Sequence, residues 1–134
     1  MRFEEIEHTA DVGIRAYGKN LGELFASAAM GMFSLIVEVG GVRPVGEVEV
    51  QVRGDDAPQL MFRWLSELLF LHETQHLLLS DFDVAVRGKS LSAKARGEAI
   101  DKGRHELKLS IKAVTYHKMI VDAKAGVAQI IFDI

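Results

Sequence analysis

Glu47-Val48-Glu49-Val50-Gln51-Val52-Arg53 alternates strictly between apolar and polar residues, and Gly54-Asp55-Asp56-Ala57-Pro58 follows it directly. Beyond that turn Leu60, Met61, Trp64, Leu65, Leu68 and Leu69 recur at three- and four-residue spacing. The hydrophobic period thus changes from two to about 3.6 residues across one short turn, which is the signature of a half-buried strand leading into a helix. An Asp cap with a proline in the first turn suits the helix start, because the carboxylate accepts an unpaired N–H and proline lacks only a donor that would have had no partner. The pattern predicts a helix running to about His72 or slightly beyond.

The same two periods extend outward. Upstream, Phe3 to Ile6 reads as a short strand, and Val12 to Tyr17 as another with Val12, Ile14 and Ala16 on one face. Asn20 is placed to cap a helix from Leu21, with Glu23 at the capping-box position. Leu21, Leu24, Phe25, Ala28, Met32, Leu35 and Ile36 form its apolar face, and Gly40-Gly41 and Pro44 end the pattern. Downstream, strands are expected at Phe82 to Val86, Leu91 to Gly97, Leu107 to Val121 and Val127 to Phe132. Within the longest, Leu107, Leu109 and Ile111 share one parity while Val114 and Tyr116 have the other. Either a β-bulge near Lys112-Ala113 or a break between two strands accounts for this. Together these elements predict an α+β fold over residues 1–134 as a single domain, with two amphipathic helices packed on one mainly antiparallel sheet, a mixed sheet remaining open.

Composition narrows the chemistry. The chain has 134 residues, of which 49% are hydrophobic and 26% charged, as expected of a domain that buries its own core and unlike a disordered chain. A net charge of -3 disfavours general attraction to a nucleic-acid backbone. There is no cysteine, which excludes disulfides, thiolate metal sites and cysteine nucleophiles. The acidic, alternating start Met1-Arg2-Phe3-Glu4-Glu5-Ile6-Glu7 differs from a signal peptide, and the longest apolar runs are too short to span a bilayer, so a cytoplasmic protein is expected.

Without cysteine, oxygen and imidazole donors remain for a metal. Asp11 sits between two expected strands, and Asp133 follows the apolar run Ile130-Ile131-Phe132, with Ile134 adding main-chain oxygen. If the terminal strands are neighbours, these donors meet at one sheet end and suit calcium, magnesium or manganese. His8 would join them or orient a carboxylate. The plainer alternative makes Asp11 a loop residue and Asp133-Ile134 a solvated tail. His72-Glu73-Thr74-Gln75-His76 matches the H-E-x-x-H zinc hydrolase motif, but it lacks a third ligand at a recognisable spacing and continues a core-facing stripe. Lys112 and His117, with Glu98 on another strand, form a third constellation, or simply a charged sheet face.

H-T-A-D-V at 8–12, the alanine- and methionine-rich stretch Ala26 to Met32, G-D-D at 54–56, W-L-S-E-L-L at 64–69, K-A-V-T-Y-H at 112–117 and the closing F-D-I resemble the archease family over the whole chain. The resemblance implies a non-enzymatic activator of the GTP-dependent RtcB-type RNA ligase of tRNA splicing, one that promotes ligase guanylylation and multiple turnover and broadens nucleotide use. It further implies a metal site, usually described with calcium, matching Asp11, Asp133 and Ile134, with His8 as a neighbouring residue. Lys112 matches a lysine important for activation, and Glu98 and His117 are further candidates. RNA would be reached only through the ligase, and no membrane is implied. The alternatives are a general chaperone or scaffold and, from His72 and His76, a zinc metallohydrolase.

Overall fold

The structure is a computed structural model that describes residues 2–7 and 11–134, Glu7 by its backbone only. Its elements are β1 (Arg2–Glu7), β2 (Val12–Tyr17), α1 (Leu21–Ile36), a 3-10 turn (Val39–Gly41), β3 (Gly46–Arg53), α2 (Ala57–Gln75), β4 (Leu77–Arg87), β5 (Ser90–Ala99), β6 (Ala113–Val114), β7 (Ile120–Asp122) and β8 (Val127–Asp133). The strands form two sheets rather than the single one expected. The larger has the order β1-β2-β8-β6, with β7 also pairing β8, and the smaller has the order β3-β5-β4. Every pairing among the described strands is antiparallel.

Two sheets need an apolar layer between them, and α1 supplies it. The helix packs on β1, β2 and β8 on one side and on β4 on the other. Accordingly its residues from Leu24 to Ile36 are buried except Met30, which is half-buried. This departs from the expected one-sided stripe: a helix apolar on all sides is an interior helix. Its glycines show how closely the layers approach. A Cβ on Gly22 would lie 2.5 Å from the carbonyl oxygen of Val84 in β4, and one on Gly31 would lie 2.8 Å from the Ile14 side chain in β2. Nine residues at 100° each place the two on opposite faces, one toward each sheet.

The caps form as the sequence predicts. Asn20 Oδ1 accepts the Glu23 N–H at 2.9 Å, and Asp56 Oδ1 accepts the Gln59 N–H at 2.8 Å with proline in the first turn. α2 buries Leu60, Met61, Trp64, Leu65, Leu68 and Leu69, and the Trp64 indole N–H donates to the Phe25 carbonyl at 3.0 Å, tying the two helices together. α2 runs to Gln75, where His76 adopts the left-handed conformation (φ 55) and ends it.

The long strand expected over Leu107 to Val121 does not form. Residues 106–109 instead run past the C-terminal end of α1: Lys108 N–H donates to Ile36 O (2.8 Å) and Leu109 N–H to Leu35 O (3.0 Å), while Glu106 O accepts from Glu38 N–H (2.9 Å). The last helical carbonyls lack partners within the helix and draw this segment to them. A strand begins only at Ala113, so the parity change marks a break between elements. The irregularity in a strand lies elsewhere, between Leu79 and Asp81 in β4.

Candidate functional site

β2 and β8 pair with Val12 opposite Phe132. Continuing that register by one residue sets Asp11 opposite Asp133. On the other side of β8, Ala113 is opposite Asp133, and the Lys112 N–H donates to the Asp133 carbonyl at 2.8 Å. The neighbour that brings Asp11 to the last strand is therefore β2, not the first strand. Three distant stretches of chain, at residues 11, 112–113 and 133–134, meet at one end of the larger sheet. Directly opposed residues on adjacent strands have Cβ atoms roughly 4.5–5.5 Å apart, where two like charges repel unless something compensates them.

Alternation settles the faces. Val12, Ile14, Ala16, Ala128, Ile130 and Phe132 share one face; all but the half-buried Val12 are buried, and all belong to the α1 core. Asp11 and Asp133 occupy positions of the opposite parity, on the face turned away from the helices. Asp133 and Ile134 are exposed, and Asp11 is half-buried and engaged in an interaction of its own. Lys112 has the parity of the buried Val114, and it lines a shallow groove with Phe62, Ser66, Phe70 and Glu73 of α2. Its backbone thus belongs to the acidic sheet end, while its side chain lies on the α2 side. Along the same strand direction Tyr116 stacks on Phe62, ring centroids 4.2 Å apart and planes at 7°.

The donor set at this end is oxygen only. Among the described residues no group of three or more His, Asp or Glu side chains converges to hold a metal. A cation here would take two carboxylates, complete its shell with the Ile134 main-chain oxygen and water, and find the Asp133 carbonyl already engaged by Lys112. Hard cations such as calcium or magnesium accept such a mixed shell. His8 lies outside the described residues.

Glu98 and His117 stand apart from Asp133. Glu98, in β5 of the smaller sheet, accepts hydrogen bonds from the Arg43 N–H (2.7 Å), the Arg104 guanidinium and His105 Nε2 (2.9 Å). The Arg104 guanidinium, with the Arg43 N–H and His105 assisting, holds the Glu98 carboxyl down at about 2, well below the usual carboxylate range. His105 is 5% exposed, and its Nδ1 accepts the Asp101 N–H at 2.9 Å, so Nε2 carries the proton donated to Glu98. This clip anchors the start of the segment that runs along the end of α1 to Lys112. Arg104 and His105 escaped sequence reasoning, since nothing in their spacing marks them. His117 is exposed in the turn after β6, its N–H on Thr115 Oγ1 at 3.3 Å.

The H-E-x-x-H motif is divided by the helix end. His72 Nδ1 bonds the Leu77 carbonyl at 2.8 Å and its ring meets Phe33 edge-on, while His76 stands past the helix in left-handed backbone. Each histidine has a local structural task there.

The sequence profile of the archease protein family matches residues 3–134. The chain is 42% identical over 125 residues to protein archease of Pyrococcus abyssi, covering 90% of this chain and 88% of that one. It is 39% identical to protein archease of Methanopyrus kandleri, with both chains covered completely. The solution structure of Methanobacterium thermoautotrophicum protein 1598 superimposes with a TM-score of 0.84 at 36% identity, covering 98% of each chain. A crystal structure from Thermotoga maritima, described as an archease and possible chaperone, shares the fold with a TM-score of 0.63 at 21% identity. With a family profile spanning nearly every residue and relatives of this identity matched end to end, the chain belongs to the archease family.

Proposed function

We propose that this protein activates a GTP-dependent RtcB-type RNA ligase of tRNA splicing, using a divalent cation, calcium in the first instance, held by Asp11, Asp133 and the Ile134 main chain. The observation that carries the proposal is the shared register of β2, β8 and β6, which gathers two carboxylates and the Lys112 backbone at one sheet end. The cation takes both carboxylates, and so fixes the local conformation at this sheet end. Lys112, on the α2 side of the same end, supplies the positive charge that acts on the ligase's guanylylation chemistry. His8 orients a ligand, His117 borders the surface, and Glu98 acts at a distance by clipping the segment that leads to Lys112. The protein performs no chemistry itself, works in the cytoplasm and meets the spliced RNA through the ligase.

The test is turnover by a cognate RtcB-type ligase with GTP, with and without this protein and with added chelator. Stimulation beyond one ligation per ligase molecule that chelator removes and calcium restores is the expected result. No stimulation under any condition would defeat the proposal. The description of the Thermotoga maritima relative as a possible chaperone keeps a second reading in view. Equal suppression of aggregation for several unrelated client proteins, without any effect on ligase turnover, would favour it.

A further inference from the structure

The outer face of the smaller sheet carries a regular charge pattern with one break. Its rows are fixed by register: Glu47 and Asp81 flank Arg96, Glu49 and Asp83 flank Lys94, Gln51 and Ala85 flank Ser92, and Arg53 and Arg87 flank Ser90. In the first two rows a central cation stands between two carboxylates, and Arg96 bonds both neighbours at 3.0 Å. At the hairpin end the order inverts. Two arginines occupy the flanks with a neutral serine between them, and among the described residues neither guanidinium has a hydrogen-bond or ion-pair partner. Asp55 and Asp56 are near in sequence, but Asp56 caps α2 and neither pairs with Arg53 or Arg87.

No neighbour neutralises these two cations, which face each other across a central strand at a separation where exposed like charges repel only weakly. An anion placed between them would be met from both sides. Arg53 and Arg87 stand two strand spacings apart, roughly 9.6 Å, so their side chains can close from both sides over the Ser90 hydroxyl. Together with Gln51 and Ser92 they line an open groove of about 690 Å³, within the size range of small-molecule sites. The carboxylates Glu49 and Asp83 stand four residues further along, roughly 14 Å away, and would repel an acidic polymer laid along the strands. A compact oxyanion with several acceptor oxygens fits better than a long polyanion or an acidic peptide. Guanidinium pairs suit phosphate because its oxygens accept bidentate bonds.

We infer that the Arg53–Ser90–Arg87 row is a binding site for the phosphate group of a nucleotide. It lies at the hairpin end of the smaller sheet, on the face turned away from the helices, whereas Asp11 and Asp133 lie at one end of the larger sheet. The site is thus separate from the acidic end, and its phosphate chemistry stands alone, while the nucleotide as carrier rests on the ligase reading.

The test is a titration of the full chain followed by backbone amide chemical shifts, at constant ionic strength made up with chloride. The probes are inorganic phosphate, GTP, a 5′-phosphorylated RNA dinucleotide and, as the competing class, hexaglutamate. Saturable shifts confined to residues 51–53 and 85–92 are expected with GTP or the dinucleotide. GTP should bind the more tightly of the two, and preference for the RNA dinucleotide would contradict a nucleotide site. Arg53→Gln and Arg87→Gln should each weaken binding about three- to tenfold, and the pair at least tenfold, with unchanged amide dispersion elsewhere. Binding unchanged in the double variant, shifts reproduced by chloride, no saturation with either phosphorylated nucleotide, or tighter binding of hexaglutamate would each overturn the inference.

Discussion

Gly22→Ala tests the layered packing through the sign of its effect. In a solvent-facing helix position the change would stabilise the protein by about 1 kcal/mol, because alanine loses less backbone freedom and is the better helix former. Here the added methyl would lie 2.5 Å from the Val84 carbonyl oxygen, closer than real Cβ atoms come to any neighbour, and the obstacle is backbone paired within β4. Either the helix or the strand must move by roughly half an ångström, at an overpacking cost of about 1–3 kcal/mol. Subtracting the helix gain leaves a net loss of about 1 kcal/mol, or a fall in Tm of about 3–5 °C for a domain of this size. Gly31→Ala is the internal control. Its methyl would meet the far end of the buried Ile14 side chain at 2.8 Å, where a side-chain shift rather than a backbone shift relieves the contact, so the cost is smaller. Urea unfolding followed by Trp64 fluorescence should show Gly22→Ala less stable than Gly31→Ala by about 1 kcal/mol. A Gly22→Ala variant more stable than the parent would refute the placement of α1 between two sheets.

Further outcomes follow from the site. Glu98 has its carboxyl lowered to about 2 from 4.5 in the folded protein. The stability it contributes is therefore fully present above pH 4.5 and is lost as pH falls toward 2; Glu98→Gln should flatten that part of a stability–pH profile, and an unchanged profile would contradict the clip. Because His76 ends α2 in left-handed backbone, His76→Gly should raise stability by roughly 1 kcal/mol in thermal unfolding. The same variant should leave zinc content and peptide hydrolysis unaltered, whereas loss of either would revive the metallohydrolase reading. Asp133→Asn should weaken calcium binding measured by calorimetry at least tenfold while leaving amide dispersion intact, since it removes one of two carboxylates.

Local signals in the sequence survived into the structure where local physics decides them. Asn20 and Asp56 cap the helices they were expected to cap, the alternation of β3 is a half-buried strand, and Trp64 is core. What the sequence could not display was partnership. The stripe on α1 looked one-sided because its small residues, Ala26, Ser27, Ala29 and Gly31, read as neutral, yet all four are buried. Leu107, Leu109 and Ile111 alternate as a strand would, but their backbone is drawn to the end of α1, a competition that no periodicity reveals. For the candidate site, Asp11 and Asp133 were legible as a pair only through the condition that their strands adjoin, which the β2–β8 register now meets in its own way. Lys112, Glu98 and His117 looked like one constellation because charges on expected strands carry no sheet identity. Glu98 belongs to the other sheet, and its partners Arg104 and His105 follow it in an irregular loop.

The most direct test of the account is multiple turnover by a cognate RtcB-type ligase supplied with GTP and with folded Asp11→Ala or Asp133→Ala protein. Each variant should leave the ligase near a single turnover while the parent protein sustains many. Full stimulation by both variants would contradict it.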